Sequence, residues 1–160
     1  MIVVATEIER KYLVRDTRFL ADLEGEALTQ AYLAIGAGVT VRVRIASKNA
    51  WLTVKGPTSG LSRLEFEYSI PLDDARALLQ LAPNAPIEKT RFRIPEGDVI
   101  WEVDVFEGAN AGLVTAEVEL EREDQTFALP PWIEREVSDE SRYGNASLSI
   151  HPYGQWSPED

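Results

Sequence analysis

Val39-Thr40-Val41-Arg42-Val43-Arg44-Ile45 alternates apolar and polar side chains at every step, which is the period of a β-strand. Its polar face carries two arginines. The same rhythm places Leu52 and Val54 between Trp51, Thr53 and Lys55, and Leu64, Phe66 and Tyr68 between Arg63, Glu65 and Glu67. Downstream, Val99, Trp101, Val103 and Val105 alternate with Ile100, Glu102, Asp104 and Phe106, and Ala116, Val118 and Leu120 with Glu117, Glu119 and Glu121. Residues 6–12 put Glu7, Glu9 and Lys11 on one face, and residues 89–94 do the same with Lys89, Arg91 and Arg93. With residues 30–35 these runs make eight predicted strands.

The separators are turn formers: Gly36-Ala37-Gly38, Ser47-Lys48-Asn49, Gly56-Pro57-Thr58-Ser59-Gly60, Pro95-Glu96-Gly97-Asp98 and the stretch from Gly108 to Gly112. Connections this short make hairpins and hence an antiparallel sheet. Helical signals are confined to residues 71–82, with Asp73 and Asp74 in the first turn, and a short stretch at 16–23. Pro130-Pro131, residues 139–145 and the last ten residues read as loop with some helix. The expectation is an α+β protein built on a large antiparallel sheet, open or closed, as one domain over residues 1–160.

The chain has 160 residues, 44% of them hydrophobic, and a formal net charge of −11. That much apolar material is enough for a core. An acidic total speaks against a nucleic-acid partner, whose footprint is basic. The total hides a division, however: residues 1–93 carry a net +2 and residues 94–160 a net −13. There is no cysteine and a single histidine, His151. Disulfides, thiolate metal sites and a cysteine nucleophile are therefore excluded, and any metal must be held by oxygen. Met1-Ile2-Val3-Val4-Ala5 is too short and uncharged for a leader, and no apolar run reaches the length of a membrane span. A cytoplasmic protein with no membrane partner is expected.

Charged faces on strands normally meet water. Here they are sorted by sign: Arg42 and Arg44, and Lys89, Arg91 and Arg93, are purely basic, while Glu102 and Asp104, and Glu117, Glu119 and Glu121, are purely acidic. Neighbours at i and i+2 lie about 7 Å apart on one face. So many charged strand faces imply a polar interior, with apolar faces turned outward under helices and loops, and closure would also remove the sheet edges. Unpaired buried charge is costly, so that interior must hold something charged. Opposed cations and carboxylates suit a polyphosphate together with Mg2+ or Mn2+. Arg10 and Tyr12 fall out of phase with Glu7, Glu9 and Lys11 and belong to the exterior; the four tryptophans are packing residues.

Glu7-Ile8-Glu9-Arg10-Lys11 resembles the N-terminal signature of the CYTH family, the triphosphate tunnel metalloenzymes. The resemblance continues in order through Gln30-Ala31-Tyr32-Leu33, Arg42-Val43-Arg44, Leu52-Thr53-Val54-Lys55-Gly56, Arg63-Leu64-Glu65-Phe66-Glu67, Lys89-Thr90-Arg91, Trp101-Glu102-Val103-Asp104-Val105-Phe106, Ala116-Glu117-Val118-Glu119-Leu120, and the closing run Trp132-Ile133-Glu134-Arg135-Glu136-Val137 followed by Tyr143-Gly144-Asn145-Ala146-Ser147-Leu148. It implies a closed eight-stranded antiparallel β-barrel forming a hydrophilic tunnel, with a few helices packed outside. It also implies metal-dependent chemistry on triphosphates, with Mg2+ or Mn2+ as cofactor. Carried over, Glu7, Glu9, Asp104, Glu117 and Glu119 would be metal ligands, with Glu102 assisting. Lys11, Arg42, Arg44, Lys55, Lys89 and Arg91 would bind phosphates. Tyr32 and Lys55 occupy the places of a dyad that activates water, and Lys55, among several cations, is expected to have a depressed pKa. Arg63, Glu65 and Glu67 would support these groups.

Within the family a short chain without an evident apolar pocket element points to an inorganic triphosphatase that cleaves tripolyphosphate to pyrophosphate and phosphate. The alternatives are a hydrolase of thiamine triphosphate or nucleoside triphosphates, an adenylyl cyclase of the bacterial class IV type, and a polyphosphate-binding module without turnover. A homodimer is compatible with each.

Overall fold

The computed structural model describes residues 5–159. The Met1–Val4 part of the stretch read as too short and uncharged for a leader lies outside them, as does Asp160. Among the described residues nine strands form: β1 Thr6–Val14, β2 Glu26–Gly36, β3 Val39–Ala46, β4 Asn49–Lys55, β5 Ser62–Ser69, β6 Ile87–Glu96, β7 Val99–Phe106, β8 Val114–Glu119 and β9 Ile133–Glu136. Their order is β5-β4-β3-β2-β6-β7-β8-β1-β9, and β1 also pairs β5. The first eight therefore close into a ring, antiparallel at every step, as expected.

Closure is narrow. Among the described residues only Thr6, Glu7 and Ile8 pair β5, opposite Leu64, Arg63 and Ser62. Farther along, Tyr12, Leu13 and Val14 pair β9 instead. The ninth strand, which no alternation announces, thus takes over β1 where β5 leaves off. The β2–β3 hairpin turns through Ala37 and Gly38, both at positive φ (52° and 78°), the backbone of a tight primed turn. A Cβ at Gly38 would also come to 3.0 Å from the Pro57 ring, so the close approach as well as the φ favours glycine. A bulge between Tyr32 and Ala34 reverses the facing of β2, bringing Ile35 as well as Tyr32 onto the cavity.

Apolar faces do point outward and are covered in patches. Outside β1, β7 and β8, Tyr12, Trp101, Val103, Ala116 and Val118 pack with Leu20, Trp132 and Ile133. Trp101 is fully buried there, with edge contacts to Tyr12, Trp132 and Phe127 at 5.4, 5.6 and 5.7 Å between ring centres. Truncating such a side chain costs about 3–5 kcal/mol. Helix α1, Leu72–Leu79, lays Ala75, Leu78 and Leu79 over Val43 and Ala50. It is shorter than residues 71–82 because its last turn tightens: Leu81 and Ala82 donate three residues back, and Gln80 is shared between Ala77 and Leu78.

The stretch 16–23 forms only a 3-10 turn, Arg18–Leu20. Asp16 Oδ1 accepts from the Arg18 backbone and guanidinium, a local bond that competes with helix. Helix α2, Asn145–Ile150, packs over one end of the ring. Its Leu148 joins Val137, Tyr143, Ile87, Phe106 and Leu113 across one end of the barrel, and its first residues border the cavity. Among the described residues no helix is long and apolar enough to cross a membrane.

Candidate active site

The ring encloses a cavity of about 860 Å³. Ring order sets its polarity. Strand β3, which supplies Arg42 and Arg44, lies four places from β8, which supplies Glu117 and Glu119, and so faces it across an eight-strand circle. Glu7, Glu9 and Lys11 come from β1, Lys55 from β4, Arg63, Glu65 and Glu67 from β5, Tyr32 from β2, Arg91 from β6 and Glu102 from β7, and all of these line the cavity. Strand alternation alone delivers them, since each is in the inward phase of its strand.

The acidic wall is crowded. Glu9 sits opposite Glu119 in the β1–β8 register, and Lys11 opposite Glu117. Burial, then Glu117 and Glu7, push the Glu9 carboxyl well above its ordinary pKa. Burial also works against Glu117, but Lys11, Arg91 and Lys89 outweigh it and hold that carboxyl well below the usual range. The Lys11 ammonium is 3.1 Å from Glu117 Oε1 and donates to the Tyr143 carbonyl at 3.2 Å. Burial opposes the Glu7 charge too, yet a hydrogen bond with Glu65 and the Lys55 ammonium bring it down to about 2. Glu65 is raised to about 7 by burial and by Glu7, so it holds the proton the two share.

Lys55 differs from expectation. Its ammonium lies 2.8 Å from Glu7 Oε2 and 3.3 Å from Glu65 Oε2. Burial would lower its pKa, but Glu7 and Glu9 outweigh burial, and the result is a rise rather than the expected depression. Among the described residues no hydrogen bond joins it to Tyr32, which stands opposite Arg42 in the β2–β3 register. The depressed amine is Lys89, brought down to about 7 chiefly by burial, with Arg91 and Arg44 adding to it against the help of Asp104.

Two expected wall residues, Lys89 and Asp104, do not border the cavity; each is 1% exposed. Asp104 takes a two-pronged contact from Arg91, Nε to Oδ1 at 2.8 Å and Nη2 to Oδ2 at 2.9 Å, and the Lys89 ammonium is 2.7 Å from Oδ2. Its oxygens are thus committed to cations, a different setting from that expected of a metal ligand. Arg91 also reaches Glu102 at 3.2 Å.

Arg42 donates from Nη2 to Thr53 Oγ1 at 3.3 Å, while its buried Nε has no partner among the described residues. Thr53 Oγ1 donates onward to Glu67 at 3.2 Å, and Arg63 is held by the Gly56 carbonyl at 2.9 Å. Burial, then Arg42 and Arg91, bring Arg44 down to about 10. An unpaired buried donor among mutually repelling cations suits an anion. Gln30, Thr53 and Asn145 also serve this wall; Thr53 shares the inward phase of Lys55, but being uncharged none of the three is marked out by the sorted charges.

The oxygen-only donor set of Glu7, Glu9, Glu117 and Glu119 fits a hard divalent cation, and Glu9, facing Glu119 in register, is the carboxyl that burial, Glu117 and Glu7 disfavour as an anion. No three acidic or histidine side chains among the described residues converge as a ready-made metal site.

A family model of the CYTH domain matches residues 5–152. An inorganic triphosphatase of Acetivibrio thermocellus is 41% identical over 148 residues, 92% of this chain and 95% of that protein. Another, from Nitrosomonas europaea, is 36% identical over 150 residues, 91% of this chain and 97% of its own length. A crystal structure of an inorganic triphosphatase superposes with a TM-score of 0.65 at 31% identity, covering 89% of this chain and 97% of that one. The family implies a divalent metal and a small triphosphate substrate. A closed ring with sign-sorted walls, matched along nearly its whole length, makes this chain a member of the CYTH domain family.

Proposed function

We propose that the chain hydrolyses inorganic tripolyphosphate to pyrophosphate and phosphate, with Mg2+ or Mn2+ as its metal. The observation that carries this is the pair of opposed walls: Arg42 and Arg44 on β3, with an orphaned Nε, facing the glutamates of β8 and β1. The relatives named inorganic triphosphatase support it.

Arg42, Arg44, Arg91, Lys11 and Lys55 would bind phosphate oxygens, with Lys89 adding charge from behind Arg91. Glu7, Glu9, Glu117 and Glu119 would hold the metal. When bound, a divalent cation draws negative charge from the phosphate chain and helps to activate the attacking water. The residues do the remainder by position. Phosphoryl transfer needs mainly alignment and charge neutralisation, and guanidinium groups fixed before substrate arrives supply both. Asp104 would act through Arg91 and Lys89, anchoring them. Lys55, charged and paired with Glu7, would bind rather than take a proton; Tyr32 would border the substrate beside Arg42.

A substrate panel tests the proposal. Tripolyphosphate, ATP and thiamine triphosphate are each offered with Mg2+ and with Mn2+, reading phosphate and cyclic AMP. Tripolyphosphate is expected to have the highest kcat/KM. An organic triphosphate turned over faster, or cyclic AMP formed faster than phosphate is released, would overturn it. Saturable binding without release would mark a binding module.

A further inference from the structure

The segment following β9 is tied to the barrel by more than its apolar contacts. The Val137 N–H donates to the Lys11 carbonyl at 2.8 Å, the Lys11 N–H donates to Ser138 Oγ at 2.9 Å, and the Lys11 ammonium donates to the Tyr143 carbonyl. Val137, Tyr143 and Leu148 fix it across the barrel end. This brings Asn145, the first residue of α2, beside β2 and β6.

There its Oδ1 accepts two hydrogen bonds, from Gln30 Nε2 at 2.9 Å and from the Lys89 ammonium at 3.0 Å. An amide oxygen has two lone pairs, so both are used. Gln30 is fully buried, and its own oxygen accepts from Arg44 Nε at 2.8 Å. Turning the Gln30 amide over would place a donor against Arg44 and an acceptor against Asn145, breaking both bonds at once. The result is a directed relay, Arg44–Gln30–Asn145–Lys89, between two cations that repel one another and Arg91.

We infer that Asn145 is a positioning residue of the phosphate-binding wall, which sets Lys89 directly and Arg44 through Gln30. The inference rests on the roles proposed above, phosphate binding for Arg44 and supporting charge for Lys89, which does not itself border the cavity. The choice of side chain fits. Left to themselves, like charges splay apart, and an anion must then bear the cost of drawing them together. A carboxylate at this place would orient the two cations but cancel charge meant for phosphate; a neutral amide orients without cancelling. The residue sits on the C-terminal segment, so seating of that segment and readiness of the anion wall are the same event.

Calorimetric titration of tripolyphosphate into metal-free protein reads binding without turnover, and steady-state kinetics with Mg2+ follow. Asn145→Ala is expected to raise Kd and KM about tenfold, the scale of one hydrogen bond to a charged group, with kcat changed much less. Gln30→Ala should act alike, and the double variant should be no weaker than about either single one, because both cut one relay. Asn145→Asp keeps the acceptor and guards against a folding artefact: its Tm should match the parent while its anion Kd rises. An unchanged Kd in Asn145→Ala, single effects that multiply in the double variant, or parental binding by Asn145→Asp would each overturn the inference. If the parent chain binds tripolyphosphate without hydrolysing it, the proposed activity fails and these Kd values still decide the relay. If it neither binds nor hydrolyses, both fail.

Discussion

The Lys55 ammonium lies 2.8 Å from Oε2 and 3.1 Å from Oε1 of Glu7, with Glu65 Oε2 at 3.3 Å. A lysine so placed is a fixed positive charge rather than a neutral base in waiting. Lys55→Arg should therefore keep kcat within about tenfold, whereas Lys55→Ala should raise KM for tripolyphosphate at least about tenfold. Loss of about 10²–10⁴ in kcat from both variants, with a changed alkaline limb of the pH profile, would restore a base role.

Asp104 supports two buried cations at once. Asp104→Asn removes the charge that compensates Lys89 and Arg91 and should cost about 3–5 kcal/mol of stability in urea unfolding. A loss under about 1 kcal/mol, combined with abolished metal binding, would return Asp104 to the ligand set.

Glu9 stands among carboxylates and should be a burden on the metal-free protein. Glu9→Gln is expected to stabilise that form by about 1 kcal/mol, or about 2–4 °C in Tm, while removing the further stabilisation that Mg2+ gives the parent. Equal stabilisation of both proteins by Mg2+ would place the metal elsewhere.

Stability should depend on pH in a defined direction. Glu65 titrates near 7 in the fold and near 4.5 when free, so between these values the folded chain holds a proton the unfolded chain has lost. Its contribution is complete below about pH 4.5 and falls as pH rises through 7. Glu9, also raised, acts in the same sense. Glu7, lowered to about 2, acts oppositely, contributing above 4.5 and losing that contribution as pH falls toward 2. The Tm of metal-free protein should decline from pH 5 to pH 7, and saturating Mg2+ should flatten the slope by replacing protons with a cation. A Tm that climbs through this window would contradict these assignments.

The ring and most of its lining were legible because charge and period coincide: Arg42, Arg44, Glu117 and Glu119 sit in strict alternation with apolar side chains. Strand β9 was not. Its Ile133-Glu134-Arg135-Glu136 has one buried residue and no repeat, and it is a strand only because β1 offers an edge beyond its three pairs with β5. The Lys55 pKa went astray for a related reason: its cationic neighbours are visible along the chain, but Glu7 reaches it only when the ring closes. Asn145 and Gln30 were invisible as site residues, since an amide acquires its role from what it touches.

The most direct test is product analysis of tripolyphosphate incubated with the protein, with and without Mg2+ or Mn2+, beside the Glu7→Ala/Glu9→Ala double variant. Equal amounts of phosphate and pyrophosphate should appear only with metal and fall at least about 100-fold in the variant. Metal-independent release, or release undiminished in the variant, would contradict the account.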